Sequence, residues 1–68
     1  MTSAKRQEYV QRIIDRCKLA LAFAESAKGA SDNSSLVHMM IVKTKDAHDA
    51  ACQYNKAIID DQAAAKHP

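Results

Sequence analysis

Apolar and polar residues alternate along this chain with the period of a helix almost from end to end, and a single polar stretch interrupts them. In the first segment Val10, Ile13, Ile14, Cys17, Ala20, Leu21, Ala24 and Ala27 recur at steps of three and four, which gathers them on one helical face bordered by Tyr9. In the second segment the stripe reads Leu36, Val37, Met40, Ile41, Thr44, Ala47, His48, Ala51, Tyr54, Asn55 and Ile58. Between the two lies Lys28-Gly29-Ala30-Ser31-Asp32-Asn33-Ser34-Ser35, with the only glycine of the chain; the only proline is Pro68. The pattern predicts one domain, an all-α, two-helix antiparallel hairpin, with a helix over about 4–28, a turn over 29–33 and a helix over about 34–66.

The ends of these helices carry the expected chemistry. Ser3 is the predicted cap of the first, with Thr2 as the alternative, because a hydroxyl there can accept an orphan amide hydrogen. Gly29 is placed to end that helix in a left-handed conformation. Ser31 or Asp32 is expected to cap the second helix, with Asn33 and Ser34 also able to. Glu8–Arg12, Lys45–Asp49 and Lys56–Asp60 are spaced for i,i+4 ion pairs on the wet side. In the hairpin, residues facing each other have numbers that sum to about 63, which offsets Cys17 from Cys52 by roughly 9 Å along the axis at 1.5 Å per residue. A disulfide needs closer Cα atoms, so two free thiols and a reducing, cytoplasmic setting are expected.

Two features depart from a simple two-helix core. Thr44, His48 and Asn55 fall inside the second apolar arc, where a polar group is costly unless partnered but can set register and oligomeric state. His48, Asn55 and Tyr54 are therefore expected to act in the core or across a dimer axis. Conversely, Leu19 and Phe23 on the first helix, and Met39 and Val42 on the second, lie outside the expected seam near the hinge. Beside them run Lys5, Arg12 and Arg16. Clustered spare apolar groups mark interfaces, so Arg12, Arg16, Leu19, Phe23, Met39 and Val42 are the candidate partner-binding residues.

Size sharpens this. The chain has 68 residues and, although 47% are hydrophobic, only three are aromatic. Two helices of this make-up bury little, and chains this short usually need a staple or a second copy. Dimerisation into a four-helix bundle is the simplest remedy. The net charge is +2; six bases against three acids fall in residues 1–28 and four against five in residues 29–68. That mild excess on the first helix suits an acidic partner but is weak for nucleic acid. The N-terminal residues lead into charged helix, so no signal peptide is expected, and no apolar run approaches a membrane span.

Chemistry is sparse. His48 and Cys52 have an i,i+4 spacing that can hold a metal, with Cys17 as a third ligand, but structural zinc sites want four ligands arriving as close pairs. A buried thiol beside a hydrogen-bonded histidine is the expectation, with no metal or cofactor. A Cys17–His48 dyad or the Asp60-Asp61 pair would lack a cleft, so neither catalysis nor a small-molecule substrate is expected. The Lys5, Arg12, Arg16 stripe with Phe23 makes RNA the competing partner.

The layout resembles the plasmid Rop family, dimeric four-helix bundles that grip RNA loops with their first helices; only the basic character of Lys5, Arg12 and Arg16 carries over. The stretch Ala30-Ser31-Asp32-Asn33-Ser34-Ser35-Leu36-Val37-His38, with Lys45-Asp46-Ala47 and the alanine-rich helix after it, is similar to short early proteins of Pseudomonas-type phages that inhibit quorum sensing. That resemblance implies a cytoplasmic homodimer that binds a host LuxR-type transcriptional activator at its DNA-binding domain, with a pilus assembly ATPase as a further partner. The tryptophans of that family are missing here, and no site residue is transferred from it.

Overall fold

A computed structural model describes residues 1–32 and 34–66; the capping candidate Asn33 and the C-terminal Pro68 lie outside them. Two α-helices, α1 (Ser3–Gly29) and α2 (Ser34–Lys66), account for nearly all of the described residues. The chain is an all-α hairpin, as the periodicity predicts, and no described helix is long and apolar enough to cross a membrane.

Local chemistry sets the helix ends. Thr2, in extended conformation, is the cap of α1: its Oγ1 accepts the Lys5 N–H at 3.1 Å, and Ser3 is the first helical residue. Gly29 does not take the left-handed role expected of it; it is helical, with no positive φ. Ala30 ends α1 by turning extended, and its N–H still reaches the Ala27 carbonyl at 3.3 Å. At the start of α2 the Asp32 carboxylate accepts the Ser34 N–H at 3.2 Å and the Ser34 hydroxyl at 3.1 Å, satisfying a donor that helix geometry leaves without a partner.

The register is fixed by two contacts. Tyr9 and Tyr54 stack with ring centroids 5.4 Å apart and planes 7° from parallel, and the N-terminal ammonium of Met1 lies 2.8 Å from Asp61. Both agree with facing numbers that sum to about 63, as a straight antiparallel pair requires. The expected i,i+4 ion pairs do not close; the pairs within reach among the described residues are Met1–Asp61 and Lys5–Glu8 (3.3 Å). Arg12 instead sits over the Tyr9 ring at 5.6 Å, and Lys5 at 5.7 Å, where the π face attracts a cation.

The seam itself is a correction. On α1 the half-buried residues are Tyr9, Ile13, Arg16, Ala20, Phe23, Ala24 and Ala27. On α2 they include Leu36, Met39, Met40, Lys43, Asp46, Ala47, Tyr54, Ala57 and Ile58, around Ala50, which at 3% exposure is the one buried residue among those described. Val10, Ile14, Cys17 and Leu21, and likewise Val37, Ile41, Thr44, His48, Ala51 and Asn55, expected in the seam, are exposed. The reason is steric. Alanines at 20, 27, 47, 50 and 57 let the two backbones approach, while the tyrosine pair spans the gap at the open end. The larger aliphatics lie one residue along, about 100° around each helix. The hairpin measures 60 × 18 × 10 Å.

Candidate functional site

Each helix carries three parallel stripes: the seam, the positions one residue after it and the positions one residue before. Since α2 runs opposite to α1, a shift of one residue turns both helices toward the same side of the hairpin. The stripes therefore combine into a front face and a back face, joined across the seam by shallow open grooves. One groove, on the side of the front face, is lined by Met1, Arg6, Tyr54, Ile58, Asp61 and Gln62. Another, lined by Arg16, Asp46, Asp49 and Gln53, opens toward the back.

The front face reads Ser3, Gln7, Val10, Ile14, Cys17, Leu21 and Ala24 on α1, and Val37, Ile41, Thr44, His48, Ala51, Asn55, Ile58 and Gln62 on α2. From Ser3 to Ala24 and from Val37 to Gln62 these positions carry no lysine, arginine, aspartate or glutamate, in a chain where such residues make up 26%; the α1 stripe then ends on Lys28, one residue after Ala27 and on the same line as Val10. Its aliphatics are well exposed: Val10 41%, Ile14 40%, Leu21 58%, Val37 41% and Ile41 62%. Thr44 adds to the apolar character, because its hydroxyl is taken up by the carbonyls of Met40 (2.8 Å) and Ile41 (3.0 Å) and only its methyl is left to present. His48 Nε2 lies 3.5 Å from Cys52 Sγ, and both residues are exposed. The buried thiol expected at Cys52 is thus an exposed one, and Cys17 and Cys52 are both free.

The back face is of another kind. It reads Lys5, Glu8, Arg12, Asp15, Leu19, Ala22 and Ser26 on α1, and Ser35, Met39, Val42, Asp46, Asp49, Gln53, Lys56 and Asp60 on α2. Charge dominates its open end, and Leu19, Ala22, Met39 and Val42 form an apolar group at the hinge end. Of the candidate partner-binding residues, Arg12, Leu19 and Val42 are exposed here. Arg16, Phe23 and Met39 are half-buried; contrary to the expectation that they were spare, they lean into the seam from the back edge. Arg16 is held by donating to the Arg12 carbonyl at 3.3 Å and lines the back groove with Asp46 and Asp49.

The two faces thus differ in kind. The six residues picked from the sequence all lie on the back face or at its edge. Periodicity alone places the residues of the charge-poor front in the hairpin core, which hides them as a surface. A readable signal existed: counting charges along each stripe separately, rather than along each helix, separates front from back. No protein-family model, curated protein or solved structure matches this chain.

Proposed function

We propose that this chain is a protein-binding module that acts as a homodimer and occludes a surface of another protein, with no catalytic chemistry of its own. The observation that supports this is the hinge-end patch of the back face, where Leu19 and Val42 are exposed at 49% and 36% beside Arg12 and Arg16. Isolated apolar groups need no explanation, but a cluster rimmed by charge is the usual make-up of a binding site. The half-buried Phe23 and Met39 form the floor of the patch and hold it in shape. The resemblance to phage anti-quorum-sensing proteins makes the DNA-binding domain of a LuxR-type activator the first partner to try and a pilus assembly ATPase the second, both met in the host cytoplasm.

RNA is the weaker reading for a stated reason. Arg16 shares its groove with Asp46 and Asp49, and Asp15 and Glu8 interrupt the basic stripe, so the field over Arg12 and Arg16 is mixed. Phosphate binding draws on the release of counterions from an uninterrupted cationic track.

The test compares wild type with Leu19→Asp and Val42→Asp in direct binding to a purified LuxR-type DNA-binding domain and in capture from host lysate. Both substitutions should reduce binding at least tenfold while helix content by circular dichroism is kept. Unchanged binding by folded variants would remove the patch from the mechanism, and tight salt-sensitive binding to structured RNA would install the competing reading.

A further inference from the structure

We infer that the charge-poor front face is covered by a second copy of this chain lying antiparallel to the first, α1 on α1 and α2 on α2, about a two-fold axis at the level of His48. This deepens the homodimer part of the reading above and is independent of the back-face partner.

The area of the chain points to an occupant. A compact folded monomer of this mass would expose roughly 4,200 Å². This one exposes 5236 Å². The excess of about 1,000 Å² is on the order of what each partner contributes to a stable interface.

The pattern points to which occupant. On α2 the midpoint between Val37 and Ile59 is His48; on α1 the midpoint between Val10 and Leu21 falls between Asp15 and Arg16, the same level along the hairpin. A two-fold axis through that level and parallel to the face sets Val10 against Leu21 of the partner and Ile14 against Cys17. It also sets Val37 against Ile59, whose exposed side chain (53%) borders the front, and His48 against its own copy. The rim agrees: Arg6 of one copy comes level with Glu25 of the other. The parallel arrangement, with each α1 over the partner's α2, would instead break up the aliphatic row of α1, setting Ile14 beside His48 and Val10 between Ala51 and Asn55; the antiparallel one keeps that row together and confines its mismatch to Ile41 against Asn55 on α2. Self-complementarity of this kind is what a two-fold interface demands, and a foreign partner would not require it.

The deciding experiment is a distance. In protein with Cys17→Ala and Cys52→Ser, a spin label is attached through Ser31→Cys at the hinge and the pair distance is read by pulsed electron resonance. The antiparallel dimer puts the two labels at opposite ends, roughly 47 Å apart, which is twice the 15.5 residues from the hinge to the axis at 1.5 Å each; a parallel dimer puts them side by side, and that result would overturn the arrangement. Sedimentation of the unmodified chain should show a dimer that Ile14→Lys or Ile41→Lys weakens roughly a hundredfold or more, whereas Ala22→Lys on the back leaves it intact. Arg6→Glu and Glu25→Arg should each weaken it and together restore it. A monomer at all concentrations would sink the inference. Loss of partner binding in Leu19→Asp with the dimer unaltered would show that the two surfaces stand or fall separately.

Discussion

Among the described residues Ala50 is the one that the hairpin buries, and by register it lies across from Ile13. A larger side chain there has nowhere to go without parting the helices. Ala50→Leu should cost about 1–3 kcal/mol, the usual penalty for overfilling a packed site, read as a drop in thermal midpoint. The tyrosine pair is the other residue-scale fastener. Tyr54→Ala would remove a stacked ring from Tyr9 and leave Arg12 and Lys5 over a ring with nothing behind it. Aromatic pairs contribute about 0.5–1.5 kcal/mol beyond their buried area, so this loss should exceed that of truncating any charged residue on the back. At Thr2 the cap can be tested in isolation: Thr2→Ala should cost about 1 kcal/mol.

At the scale of the elements, the hinge invites a stabilising change. Gly29 is helical, without positive φ, and a Cβ there would meet nothing within 4 Å. Gly29→Ala should therefore stabilise the hairpin by about 0.5–1 kcal/mol through the helix propensity of alanine, measured by chemical denaturation. Had the glycine been left-handed, the same change would destabilise. Both helices, the turn between them and the sum rule of their register were legible in the sequence, because period, cap residues and a lone glycine are local signals. The identity of the seam was not. Val10, Ile14 and Leu21 are more apolar than Tyr9, Arg16 and Ala20, so hydrophobicity alone turns α1 the wrong way. Apolarity reports that a residue wants cover and not which surface supplies it; that choice depends on how closely two backbones can approach, which is decided by alanines that each stand level with a longer side chain on the other helix, as Ala50 does with Ile13. For the same reason the candidate binding set was only half exposed: Phe23 and Met39 belong to the seam edge once the helices are turned.

For the whole molecule, a surface divided into a charge-poor apolar side and a mixed-charge side predicts that stability and self-association are one property. Thermal midpoints should rise with protein concentration, as mass action requires when only the folded form associates; a midpoint unmoved over a hundredfold dilution would contradict this. Asn55, the amide on the charge-poor side that falls level with Ile41 of a second copy, should be costly when covered, so Asn55→Leu is expected to tighten association. The thinnest dimension carries its own consequence. A sheet of matter 10 Å deep keeps nearly every amide within one side chain of the solvent, so little in a solitary protomer beyond Ala50 is shielded by depth. Deuterium should enter such a protomer almost evenly along both helices, slowed only by the intrahelical ladder itself, and a gradient of protection centred on residues near 15 and 48 would emerge only as the solution is made more concentrated.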